Sequence, residues 1–256
     1  LPAVLAGGVA TELLLRAYVR FGGEAAARLA EHDPLHAEVE PFGTVGYRQR
    51  PGSAFRYFNG TVAHANRMGY RGPDVPVTKP AGVFRVVLLG GSTTHGWGVN
   101  DGATIDAYMR RRLAAHRTPR FEVINAALDG YDMRQMLERV RSDVLRLDPD
   151  LLIINAGIND VRNARFPNLV EDDPRSMLWG PTLERMRYES IHGPSLWTTA
   201  KHHSLLLRLP AFIGTLRPQQ TPQRDSTLVG YPEAAEFFEQ NLRRIARIAG
   251  THGIKL

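Results

Sequence analysis

The chain has 256 residues, 43% of them apolar, and no cysteine. That is room for one α/β domain with a sizeable core, and it excludes disulfides, thiolate catalysis and cysteine-held zinc. The net charge of +6 invites a nucleic-acid partner, but all except Lys79, Lys201 and Lys255 among the 32 cations are arginines scattered along the chain. Arg110, Arg111 and Arg112 spread around one helix rather than lining a stripe, so no nucleic-acid partner is expected.

Residues 1–22, "LPAVLAGGVATELLLRAYVRFG", open apolar and then meet Glu12, Arg16 and Arg20. The apolar part is shorter than the roughly 20 residues that cross a bilayer. It reads either as an amphipathic docking helix or, because the chain begins with Leu, as the tail of a longer hydrophobic anchor. The second reading gives a membrane-associated, extracytoplasmic protein. Residues 23–82 are rich in Gly, Pro and His and form an irregular lead-in, with short strands expected around "GYRQRPGSAFRYFNGTV".

From residue 83 the pattern turns regular. "VFRVVLLG" is the continuous apolar run of a parallel strand buried on both faces. A helix follows with Ile105, Tyr108, Met109 and Leu113 on one face. "FEVINAA" is a second strand, after which Met133, Met136, Leu137, Val140 and Val144 fall at helical spacing. "PDLLIINAG" is a third strand. Residues 161–230 lose this rhythm: prolines punctuate an insertion with one helix expected around "LWTTAKHHSLLLRL". A clean helix returns in "PEAAEFFEQNLRRIARIAGTHG". Its apolar face runs Ala234, Phe238, Leu242, Ile245 and Ala249, and Gly250 or Gly253 is available to cap it. The last residues, "IKL", read as the first step of a fourth strand.

Such alternation predicts a doubly wound parallel sheet with right-handed crossovers over residues 83–256. Ligands bind such sheets at the carboxyl ends of the strands, so three loops carry the functional argument. The first is "VVLLGGSTTHGWG". Gly91 and Gly96 have the glycine spacing of a phosphate loop, but Trp97 stands where its lysine belongs. A dinucleotide fingerprint is absent, and Thr94 replaces the second glycine of a G-x-S-x-G nucleophile elbow. What remains is Ser92, just past a buried strand and flanked by glycines; alone, it reads equally well as a helix cap. The second loop, "NAALDGYD", puts Gly130 at the same edge, and the third, "NAGINDV", puts Gly157, Ile158, Asn159 and Asp160 there.

Taken in order, "GGSTTHG", Gly130 and the G-x-N-D of Gly157, Asn159 and Asp160 resemble the three blocks of the SGNH (GDSL-type) hydrolase family. The upstream "ANRMGYRGP" is similar to an N-x-x-G-[FY]-R lead-in of its membrane-anchored bacterial members. The resemblance implies a flavodoxin-like, three-layer α/β/α fold and hydrolysis of carboxylic esters through an acyl-Ser92 intermediate. It implies an oxyanion hole made by the N–H groups of Ser92 and Gly130 and the side-chain amide of Asn159. Acyl esters of sugars, lipids or small molecules are the implied substrates, with no cofactor. From their positions beside these loops, His95, three residues after the nucleophile, is expected to line the substrate pocket or cap the helix and Trp97 to contact substrate, with Gly157 and Asp160 at the same edge, Asp160 chiefly as a brace.

Two features depart from the family. Gly91 replaces the aspartate of G-D-S, and no D-x-x-H block supplies a base. Asp33-Pro34-Leu35-His36 matches that string but precedes the nucleophile, a coincidence. Since "IKL" reads as a strand just beginning, the Asp and His are expected beyond residue 256. His202 and His203 are adjacent on a helix and point apart, and no H-E-x-x-H spacing occurs, so no metal is expected. Two other activities fit the same loops: an O-acyltransferase, and a non-catalytic domain that binds a glycan or anion.

Overall fold

The computed structural model describes residues 2–23, 39–57, 59–116, 119–163, 173–174, 196–216 and 232–256. The chain divides into two units, residues 1–37 with 185–229 and residues 38–184 with 230–256. In chain order, the described elements begin with α1 (Pro2–Phe21), β1 (Val39–Phe42), β2 (Gly46–Gln49), β3 (Ala54–Arg56) and β4 (Val62–His64). Next come β5 (Val83–Gly90), α2 (Ser92–His95), α3 (Ile105–Leu113), β6 (Arg120–Asn125), α4 (Met133–Arg139) and β7 (Leu151–Asn155). The last are α5 (Ile158–Asn163), α6 (Leu196–His203), α7 (Leu205–Leu216) and α8 (Pro232–Thr251).

In the larger unit β5, β6 and β7 form a parallel sheet in the order β6-β5-β7. Right-handed crossovers put α3 on one face of such a sheet and α4 on the other. α3 packs on β6, and α8 packs against α4, which makes the three α/β/α layers. Strand pleating sends alternate residues of β5 to opposite faces. Val86 and Leu88 join Val123 in a cluster that Phe84, Met109, Leu113 and Phe121 cover. Met133, Met136, Leu137, Val140 and Val144 are all buried, as their spacing predicts, and so are Ile245 and Ala249 of α8. Gly253, at φ 67, ends α8, and the N–H of Ile254 returns to the Ala249 carbonyl at 2.9 Å, a glycine C-cap. Lys255 then makes one isolated parallel bridge to Leu151 beside β7, with Leu152 N–H donating to its carbonyl at 2.8 Å.

Two expectations change. The buried side of α3 is not the one its apolar spacing suggests: Ile105 is 44% and Tyr108 59% exposed, while Asp106 is fully buried. Asp106 pairs with Arg110 at 2.5 Å and accepts from Asn125 Nδ2 at 2.8 Å, so a partnered charge occupies a position that apolar counting would leave outside. Arg85 interrupts the apolar run of β5 yet is wholly buried, because Glu122 pairs with it at 2.7 Å and the Pro76 and Val77 carbonyls accept from it. The short strands expected around residues 46–62 are present as β2, β3 and the start of β4, in the antiparallel pairs β1-β2 and β3-β4, and residues 39–82 belong to the same unit as the sheet.

In the smaller unit, the single helix expected around residues 196–209 is two. Ser204 separates α6 from α7 because its hydroxyl accepts from Leu207 N–H at 3.3 Å, as an N-cap does. The Glu12 carboxylate of α1 accepts from the N–H groups of Leu205 and Leu206 at 3.0 and 2.8 Å, satisfying the free donors of α7. Among the described residues no helix is long and apolar enough to cross a membrane, so the anchor reading of residues 1–22 gains no support. Most of the 161–230 insertion, with Trp179, lies outside the described residues, as do Asp33 and His36 and the side chains of Trp197 and His202.

Candidate functional site

Because β5, β6 and β7 run parallel, the loops after them leave from one edge. Gly90 pairs with Asn155 across the sheet, and Leu88 with Asn125, so the three strands finish within two residues of one another. At the end of β5 the chain turns straight into α2, whose first residue is Ser92. Gly90 is obligatory there: a Cβ on it would lie 2.3 Å from Thr94 Oγ1 and 2.9 Å from the Asn155 carbonyl. Ser92 is half-buried, and among the described residues its hydroxyl has no hydrogen-bond partner. Asn125 Nδ2 donates to the Thr94 carbonyl at 2.9 Å, tying α2 to the end of β6.

The second and third loops are stitched together residue by residue. Three consecutive residues, Tyr131 and Asp132 at the end of the second loop and Met133 at the start of α4, each meet a side chain of α5. Asn159 Nδ2 donates to the Tyr131 carbonyl at 2.9 Å, Asn163 Nδ2 to Asp132 Oδ2 at 2.7 Å, and Met133 N–H to Asp160 Oδ1 at 3.0 Å. Asp132 also completes a capping box with Gln135 at the start of α4. The first loop meets the same point. A Cβ on Gly91 would lie 2.6 Å from Asn159 Nδ2 and 3.4 Å from the Tyr131 carbonyl. The Asn159 amide is thus wedged between the residue before Ser92 and the residue after Gly130. One of its two N–H bonds is committed to Tyr131, which leaves a second.

Gly130 sits at φ 81, a left-handed conformation that glycine adopts without strain. Among the described residues its N–H has no partner, and neither does that of Ser92. Ser92, Gly130 and Asn159 thus stand in or directly after the three loops that leave one sheet edge, with the Asn159 amide against Gly91 and Tyr131.

The surrounding residues fare differently. Asp160 spends both carboxylate oxygens on backbone, Oδ1 on Met133 and Oδ2 on Gly157 N–H at 3.2 Å, so it and Gly157 (φ 123) brace the loop rather than face outward. Burial, helped by the neighbouring Asp132, pushes the Asp160 carboxyl up to about 7. His95 does not line an open pocket. Its side chain is 3% exposed, with Nδ1 3.1 Å from Asp129 Oδ1 and Nε2 3.2 Å from Gln49 Oε1. Trp97 alone of these stays accessible, 49% exposed, with its ring edge-on to Tyr57 at 5.6 Å.

Sequence reasoning missed Arg71, which is fully buried. Its guanidinium donates to the carbonyls of His95 (2.9 Å), Gly96 (2.5 Å) and Val99 (2.5 Å) and to Asp101 Oδ1 (3.2 Å), gripping the carbonyl end of α2 opposite Ser92. The lead-in motif was its signal. Asn66 Oδ1 takes the N–H groups of Met68 and Tyr70, and Gly69 (φ 75) has no room for a Cβ against the Gln49 carbonyl, 2.3 Å away; together they deliver Arg71 to α2. Among the described residues no cluster of side chains suits a metal ion.

Residues 88–255, from the middle of β5 to the bridge beside β7, match the GDSL-like lipase/acylhydrolase family. The chain belongs to that family. Similar solved structures include a GDSL-like lipase from Bacteroides thetaiotaomicron, 18% identical over 67% of this chain and 66% of that one, with a TM-score of 0.26. A putative acylhydrolase from Bacteroides fragilis is 23% identical over 52% of this chain and 64% of that one, with a TM-score of 0.24. An acetyl xylan esterase from Geobacillus stearothermophilus is 18% identical over 67% and 74%, with a TM-score of 0.30. The chain spans less than two thirds of the length of both Bacteroides proteins. Comparison with curated proteins found no match. For this GDSL-like chain the family assignment rests on the match over residues 88–255.

Proposed function

We propose that this GDSL-like chain carries the nucleophile and oxyanion hole of a serine ester hydrolase. Ser92 Oγ attacks the ester carbonyl, the alcohol leaves with a proton, and water hydrolyses the acyl-Ser92 so formed. Negative charge on the former carbonyl oxygen meets the N–H groups of Ser92 and Gly130 and the free N–H of Asn159. Donors fixed in advance at that oxygen contribute about 3–4 kcal/mol each to transition-state stabilisation. The observation that carries the reading is the position of the Asn159 amide, pinned by Tyr131 and pressed against the Cα of Gly91, one residue from the nucleophile. Trp97 offers the accessible apolar surface for the acyl or leaving group. Small esters are the simplest substrates for such a centre.

The base that takes the Ser92 proton is a separate question from the oxyanion hole. His95 is spent on Asp129 and Gln49, His64 pairs with Asp101 at 2.6 Å, and His252 bonds within its own helix end. Among the described residues no imidazole is within hydrogen-bonding distance of Ser92 Oγ.

Steady-state kinetics on p-nitrophenyl acetate with the full-length protein test the reading. Ser92→Ala is expected to remove turnover. Asn159→Ala is expected to lower kcat by about 10²–10³-fold with a smaller change in KM, because its amide meets charge that exists chiefly in the transition state. An unchanged kcat in Asn159→Ala would make Asn159 a turn residue only.

A further inference from the structure

Resting on the reading of Ser92, Gly130 and Asn159 as the reactive centre, we infer that His95 is a positioning residue that locks the Gly130 turn to the helix carrying Ser92. His95 closes α2, one turn after Ser92, and its ring is buried. From there Nδ1 reaches out of the first loop to Asp129 Oδ1 at 3.1 Å, and Asp129 is the residue immediately before Gly130. The opposite ring nitrogen meets Gln49 at 3.2 Å, and the Tyr57 hydroxyl lies 3.4 Å from Nδ1, so the ring is held from three sides.

Around the turn, Leu128 N–H donates to the Gly90 carbonyl at 3.1 Å and Asn159 Nδ2 to the Tyr131 carbonyl at 2.9 Å, which leaves Asp129 and Gly130 between two fixed points. Tyr47 OH donates to the Asp129 carbonyl at 2.5 Å, and Tyr131 N–H to the Leu128 carbonyl at 3.2 Å. Among the described residues, the imidazole makes the one hydrogen bond that joins residues 92–95 to residues 129–130. It is a bond to a carboxylate, the stronger kind, with the ring buried and the Asp129 side chain 36% exposed. An oxyanion donor must stay within about 0.5 Å of its place, and a misplacement of about 1 Å costs on the order of 10²-fold in rate. A link between the nucleophile's helix and the donor's turn sets that distance. His95 touches neither substrate nor reacting atom in this role; it acts through Asp129.

Two substitutions separate this role from simple filling of space. The amide nitrogen of an asparagine falls near the imidazole Nδ1 position, and that of a glutamine near Nε2. In the full-length protein on p-nitrophenyl acetate, His95→Asn is expected to restore most of kcat. His95→Gln and Asp129→Ala are each expected to lower kcat by about 10- to 100-fold with KM little changed, and the double variant to be no worse than either alone. The Gly130 amide resonance in a ¹H–¹⁵N spectrum reads the same link without turnover: it shifts further in His95→Gln than in His95→Asn. Equal kcat values and equal shifts in the two His95 variants would overturn the proposal, as would fully additive losses from His95→Gln and Asp129→Ala. Turnover retained in Ser92→Ala would overturn the assignment of the centre itself, and this role with it.

Discussion

Replacing Gly91 by alanine tests the packing of the candidate site with one methyl group. The backbone at Gly91, φ −89 and ψ −154, is extended rather than left-handed, so the substitution meets its main obstacle at the new Cβ. The new Cβ would lie 2.6 Å from Asn159 Nδ2, where ordinary contact begins at 3.4 Å. The amide must therefore retreat by about 0.8 Å, an error of the size that costs on the order of 10²-fold when it falls on a catalytic group. Its bond to the Tyr131 carbonyl, 2.9 Å at rest, has to stretch or break in the process. Steady-state kinetics on an acetyl ester should show kcat down about 10²-fold, with KM changed far less because Trp97 and the rest of the surface stay in place. Gly91→Asp, which recreates the G-D-S block that the family resemblance leads one to expect, should fare no better here. Full kcat in either variant would refute the claim that Asn159 is held against this glycine for catalysis.

Arg71→Met should lower the free energy of unfolding in urea by about 3–5 kcal/mol, since it strands three carbonyls and the Asp101 carboxylate around a buried site. A loss below about 1 kcal/mol would mean that water replaces the guanidinium there. Asp160 gives a pH signature. Its carboxyl is held up to about 7, above the ordinary carboxylate value of 3.8, so the stability it contributes is complete in acid and is lost as pH rises through about 7. Urea midpoints between pH 4 and pH 8 should fall more steeply for the wild type than for Asp160→Asn, and parallel curves would contradict the assignment.

The strand rhythm was legible because it rests on local pattern. Continuous apolar runs gave β5 and the positions of β6 and β7, and helical spacing gave α4 and the buried face of α8. The three loops were legible for the same reason: once the strands are parallel, Ser92, Gly130 and Asn159 must leave from one edge. What sequence could not give were the partners of buried polar groups. Asp106 looks like a surface residue until the end of β6 brings Asn125 to it from 19 residues further along, beside its i+4 partner Arg110, and Arg85 until Glu122 pairs with it. His95 was placed near the substrate because it stands three residues after the nucleophile. That spacing says nothing of Gln49 and Asp129, which come from β2 and the second loop and close over it. Arg71 belonged to a motif quoted for its likeness alone; only the fold shows that the motif aims a guanidinium at the end of α2.

Covalent labelling of the full-length protein with a fluorophosphonate, followed by peptide mass spectrometry, tests the central claim most directly, because the reagent marks a serine that is an activated nucleophile beside an oxyanion hole. The account predicts one adduct, on Ser92, absent from Ser92→Ala and formed about 10²–10³-fold more slowly in Asn159→Ala. An adduct on another residue, or labelling at the wild-type rate in Asn159→Ala, would contradict it.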